Sequence, residues 1–93
     1  WLELTWCLVE QEKYNEADLV SKQAVKLLPD CAAAWGNRAI VMVQLLRRDE
    51  AQEAMEKALA LDPDEEKARY LSENFEDMLL DAKEPSRQAN KKQ

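Results

Sequence analysis

Trp35-Gly36-Asn37-Arg38-Ala39-Ile40-Val41-Met42-Val43 opens a block that closes at Pro63-Asp64 and copies the block before it. Shifted back by 34 residues, Trp35 falls on Trp1, Val43 on Val9, Glu50 on Glu16, Ala51 on Ala17, Ala58 on Ala24, Leu61 on Leu27, Pro63 on Pro29 and Asp64 on Asp30. Random matching over so short a stretch would supply roughly two or three coincidences. The repeat is real, and its period is that of a helix-turn-helix unit that buries its apolar face by stacking.

Working outward from this block, the composition favours helix throughout. Gly36 is the single glycine, proline occurs three times, and Ala, Leu, Glu, Lys and Gln are abundant. The spacing predicts helices over 1–10, 16–28, 32–45, 49–61 and 65–82, with Leu4, Cys7 and Leu8 on one face of the first. Leu19, Ala24, Leu27 and Leu28 form the stripe of the second, and proline ends the second and fourth. Asn15 and Asp30 are the expected N-caps of the second and third helices, and Asp49 with Gln52 reads as a capping box for the fourth. A third copy fails, because the period places Pro85 where Ala51 stood. What remains is a capping helix with a polar outer side over 66–82, followed by a basic tail, 83–93, expected to be disordered.

The chain carries 13 Lys and Arg against 19 Asp and Glu, a formal charge of -6. Nucleic acid and anionic membranes need clustered positive charge, so neither is expected as a partner. The longest apolar run, Ala39–Val43, is far short of the roughly 20 residues that cross a bilayer, and a soluble protein is expected. Cys7 and Cys31 are the only thiols and histidine is absent. Neither a disulfide framework nor a structural zinc site is expected from two ligands. Cys7 is placed in a helix interface and Cys31 at a helix entrance, as free thiols suited to a reducing cytoplasm. Because the chain begins at Trp1, already inside a repeat, it reads as part of a longer array with earlier repeats ahead of it.

The residues now in place resemble the tetratricopeptide repeat, whose pattern runs Trp-x2-Leu-Gly-x2-Tyr, Ala-x3-Phe and a closing Pro. The second unit carries Trp35, Ala39, Met42, Ala51, Ala58 and Pro63 at those places; the first carries Trp1, Leu4, Leu8, Tyr14, Ala17, Ala24 and Pro29. Thr5 departs from the small glycine, and Ser21 and Met55 from the aromatic, which is expected to weaken packing. The resemblance implies an all-α fold: antiparallel helix pairs stacked as a short right-handed solenoid, with units at 1–31 and 32–65 and the capping helix at 66–82. Small residues at Ala17, Ala24, Ala39, Ala51 and Ala58 let paired helices approach closely, while Trp1 and Trp35 fill the core.

No catalytic constellation is visible: there is no histidine, no glycine-rich phosphate loop and no nucleophile beside a base. Asp62, Asp64, Glu66 and Glu73 mimic calcium-loop spacing, but Lys67 stands where that loop requires glycine and the stretch reads as helix. Neither enzyme activity, a cofactor nor a metal is expected. The resemblance implies a protein-interaction module whose first helices line a concave groove with Leu2, Trp6, Val9, Ala33, Asn37, Ile40, Val43, Lys67 and Tyr70. The binding set is therefore Leu2, Trp6, Val9, Asn37, Ile40, Val43, Lys67 and Tyr70, mostly apolar and suited to an apolar or amphipathic protein segment. A charge at Ile40 would then cost binding while sparing the fold. Two alternatives use the same groove. One is self-association into a homo-oligomer. The other is the carboxylate clamp by which some members of this family hold acidic chaperone tails, with Asn37 and Lys67 in place but Leu2, Trp6 and Leu71 departing from it.

Overall fold

The computed structural model describes residues 2–83. Within them the chain forms α1 (Leu2–Glu10), α2 (Tyr14–Leu27), α3 (Ala32–Gln44), α4 (Arg48–Leu61) and α5 (Glu66–Lys83), and no strand is present among the described residues. Lys83 belongs to α5, while the expected tail from 84 onward, and the expected core role of Trp1, lie outside the described residues.

The 34-residue period is written into the backbone as well as the sequence. Lys13 N–H donates to Leu8 O at 2.9 Å and Arg47 N–H to Met42 O at 2.8 Å, closing the α1–α2 and α3–α4 turns identically. Each turn places one residue in the left-handed region, Glu12 at φ 59° and Leu46 at φ 61°, although neither is glycine. A side chain there costs about 1 kcal/mol or more, so tertiary contacts hold both turns in place. Contacting helices joined by turns this short run antiparallel. The next junctions match too: Cys31 N–H bonds Leu28 O at 3.1 Å and Glu65 N–H bonds Asp62 O at 3.0 Å. The correspondence thus extends into the start of α5.

Three expected caps are absent. α2 begins at Tyr14, one residue ahead of Asn15, and neither Lys13 before α2, Cys31 before α3 nor Arg47 before α4 makes a side-chain cap bond. Asn15 and Asp49 lie inside their helices and Asp30 one place too early. α2 and α4 start one residue before Asn15 and Asp49, and α3 starts two residues after Asp30, so these residues miss the cap positions.

α3 is the centre of the fold. It contacts α1, α2, α4 and α5, which explains why Ala39, Ile40, Val41, Met42 and Val43 are all buried in sequence. A helix with one buried stripe could not enclose five successive residues; a surrounded one can. Ala17, Ala39 and Ala51 are fully buried in one cluster as α2 and α4 each pack on α3, and Leu71 of α5 joins it. A smaller cluster of Ala24, Val25 and Ala34 sits beside it. Trp35 packs against both, and its indole Nε1 donates to Pro29 O at 2.8 Å.

The outer unit departs from the expected faces. Thr5 is the buried residue of α1, whereas Leu4 and Cys7 are exposed, so Cys7 is not in an interface between the described helices. In α2 the enclosed residues are Ala17, Ser21, Ala24 and Val25, and Leu19, Leu27 and Leu28 face outward. Small residues take the inner face because the close helix approach leaves no room for leucine.

Ser21 does not merely weaken packing. Fully buried, it donates to Asp18 O at 3.1 Å and accepts from the Arg38 guanidinium at 3.0 Å. Arg38 also bonds Asp18 Oδ1 at 3.0 Å, and Arg47 reaches Asp18 Oδ2 at 3.2 Å. Asp18 therefore joins α2 to the middle of α3 and to the α3–α4 turn. Asp18→Ala would leave Arg38 only the longer carboxylate contact, with Glu50 at 3.9 Å, an expected loss of about 2 kcal/mol for a part-buried pair, between the exposed and fully buried cases. Asp64→Ala removes an exposed pair with Arg69 and is expected to cost less than about 1 kcal/mol. Chemical denaturation of the two variants measures the difference; equal midpoints would show that the Asp18 cluster does not join the units.

Candidate functional site

α1, α3 and α5 enclose an open groove of about 450 Å³ lined by Trp6, Val9, Ile40, Gln44, Glu66, Lys67, Tyr70 and Met78. Trp6 and Val9 are one turn apart on α1, and Ile40 and Gln44 are one turn apart on α3. The apolar wall faces α5, whose Lys67 ammonium lies 4.9 Å from the Trp6 ring centroid, over its face. Such a contact occupies the lysine while leaving its charge at the rim.

Five of the eight residues expected to bind line this groove: Trp6, Val9, Ile40, Lys67 and Tyr70. Tyr70 is 56% exposed, offering a ring and a hydroxyl to solvent. Ile40 is only 5% exposed and lies in the main core, so a charge there would damage the fold as well as the groove. The remaining three lie elsewhere. Val43 is fully enclosed in the cluster that contains Leu71, leaving no surface for a ligand. Leu2 is half-buried against the smaller cluster. Asn37 is 3% exposed, with Nδ2 3.5 Å from Leu2 O, a long contact, and Oδ1 has no hydrogen-bond partner.

Gln44, Glu66 and Met78 complete the lining and escaped the sequence reading. Gln44 follows Ile40 by one helical turn, and Met78 follows Lys67 by about three turns, so both carried a spacing signal. Met78 also lies beyond a break in α5. Asn74 leaves helical geometry at φ -126°, ψ 21°, and its amide Nδ2 donates to Tyr70 O at 2.9 Å. Tyr70 and Met78 line the groove from either side of that kink.

The entry of α5 is set by a carboxylate and a missing side chain. Glu65, buried, accepts the Ala68 N–H at 2.9 Å and so caps the helix. A Cβ at Gly36 would overlap that carboxylate, and would sit 3.4 Å from Lys67 Cβ. Gly36 lets Glu65 lie against α3, which places Glu66, Lys67 and Tyr70 along the groove. Gly36→Ala alone is expected to be neutral or destabilising, because the helix-propensity gain of about 1 kcal/mol is offset by the displaced cap. In a Glu65→Ala background the same change is expected to stabilise by up to that propensity gain, about 1 kcal/mol. A thermal-denaturation cycle showing equal effects in both backgrounds would refute the coupling.

Among the described residues no group of three or more His, Cys, Asp or Glu is placed to hold a metal ion, and no helix is long and apolar enough to cross a membrane. No curated protein and no solved structure matches the chain. Residues 32–65 match the family described as Tetratricopeptide repeat, a non-catalytic protein-interaction repeat. That span coincides with the second unit from the start of α3 to the Glu65 cap, and the chain carries a tetratricopeptide repeat there.

Proposed function

We propose that the chain holds an apolar or amphipathic protein segment in the groove between α1, α3 and α5. The observation that carries this reading is the groove itself, open and walled by Trp6, Val9, Ile40, Tyr70 and Met78, in a chain with a protein-interaction repeat. Trp6 and Tyr70 supply rigid aromatic area, the side-chain type that dominates binding energy at protein interfaces. Lys67, Glu66 and Gln44 at the same groove orient a ligand's polar side. The formal charge of -6 makes basic partners easier to approach than acidic ones. A reducing cytoplasm suits the free Cys7 and Cys31 thiols.

The carboxylate-clamp alternative has less support. Asn37 is nearly enclosed, Leu71 is fully buried and Lys67 is engaged on Trp6, so no ring of donors converges on one point. Self-association through the same groove has no specific observation in its favour, and the following experiment separates it from peptide binding.

A displayed peptide library selected against the chain supplies probes, whose affinities are read by fluorescence anisotropy. Selected sequences are expected to be apolar along one helical face. Tyr70→Asp places a charge in the groove at an exposed position and is expected to weaken them at least about tenfold, the loss typical of a central contact, with unchanged helicity. Salt is expected to change affinity little, since screening acts on exposed charges. Peptides held equally well by Tyr70→Asp would place the site elsewhere. A concentration-dependent dimer that disappears in Tyr70→Asp would replace this reading with self-association.

A further inference from the structure

α1 and α5 do not pack against each other directly, and the Lys67 ammonium reaches from one wall of the groove to the other, 4.9 Å from the Trp6 ring centroid. Nothing local favours a cation there. Lys67 stands in the first turn of α5, just behind the Glu65 cap, where the positive end of the helix dipole disfavours an ammonium. Its neighbour Glu66 is exposed at the same groove, but successive residues of a helix do not face each other. Neither Lys67 nor Glu66 forms an ion pair with any described residue. What holds Lys67 is the Trp6 face. A second such contact, Lys57 over Trp35 at 5.1 Å, lies away from the groove, on a tryptophan that packs against both core clusters.

We propose that the Trp6 face and the Glu66 carboxylate form a subsite for an arginine of the bound segment, and that Lys67 occupies this subsite until the ligand displaces it. The proposal rests on the reading of the groove as a binding site and adds the partner's chemistry: an apolar or amphipathic segment with a basic residue at the edge of its apolar face. A tryptophan face attracts any cation, and a guanidinium suits it better than an ammonium. It is planar and less strongly hydrated, and it keeps N–H donors for a carboxylate while its plane stacks. Glu66 supplies that carboxylate with no described partner to compete. Lys67, once displaced, gives up the ring contact and enters water, where an ammonium is well solvated. An acidic ligand group would pair with Lys67 but would meet Glu66 and a chain of formal charge -6, whereas both favour a basic one.

Three labelled amphipathic helical peptides of leucine and alanine serve as probes, alike except for an Arg, a Gln or a Glu at the edge of the apolar face. Their affinities are read by fluorescence anisotropy with the 93-residue chain, Lys67→Ala and Glu66→Gln. The Arg peptide is expected to bind tightest. Lys67→Ala is expected to hold it about threefold more tightly, the factor that a part-exposed cation–ring contact supplies. Glu66→Gln is expected to hold it about threefold less tightly, as for an exposed ion pair. The Lys67 ε-methylene NMR resonance, moved upfield by the Trp6 ring, is expected to return toward its ordinary position as the Arg peptide binds. That displacement and the exposed Glu66→Gln change test the subsite even where Lys67→Ala disturbs α5. Weaker binding of the Arg peptide by a folded Lys67→Ala would overturn the proposal, and a preference for the Glu peptide that vanishes in Lys67→Ala would make Lys67 a carboxylate contact instead. Equal affinity for all three peptides would remove the subsite and leave the apolar groove standing. Binding of none of them would overturn the groove reading, and the subsite with it.

Discussion

Packing of α2 and of α4 on α3 through small residues at Ala17, Ala39 and Ala51 is the constraint on which the rest of the molecule depends. Because none of these residues carries more than a methyl group, α2 and α4 lie close against α3, and its Ala39–Val43 stretch is buried. Burial on several sides demands successive apolar residues, which Ile40, Val41, Met42 and Val43 supply. The groove follows from the same geometry. With α4 closing one side of α3 and α2 another, α1 and α5 flank the remaining side and leave a space floored by Ile40.

Polar groups give this apolar stack its register. The Asp18 carboxylate receives Arg38 and Arg47, while Ser21 fills the space between Asp18 and Arg38, so the first unit can meet the second in one orientation. At the other end Glu65 caps α5 from a recess that only a glycine at position 36 can provide. Both devices bury charge, which is costly unless each group is paired. They act on different parts of α3: Glu65 sets α5, one flank of the groove, against it, while Asp18 fixes α2 against it.

The proposed binding would use a surface that the core leaves partly uncovered. Tyr70 is exposed and the Trp6 side chain is covered only in part, with Lys67 over its ring. Ile40, by contrast, serves core and groove at once. A ligand would therefore meet an apolar floor fixed by folding and an aromatic rim free to vary, a division that allows repeats of one architecture to accept different partners.

Sequence alone determined the period, the five helices and their order. Repetition and helical spacing are properties of chain position, and a 34-residue identity pattern survives whatever surrounds it. The sequence's resemblance to the tetratricopeptide repeat also pointed to Trp6, Val9, Ile40, Lys67 and Tyr70, which the structure places along one groove. The tertiary structure decided which residues are covered. Val43 shares its helix face with Ile40, yet the packing of α5 encloses it with Leu71. Leu4 and Leu19 look like core by hydrophobicity but lie outside it, since the inner faces are reserved for Thr5, Ala17 and Ser21 by the distance between helices. The expected caps likewise missed the cap positions by one or two residues, and Met78 entered the groove from beyond the kink at Asn74. Burial is a relation between segments far apart in the chain, and spacing within one helix cannot specify which neighbour will cover it.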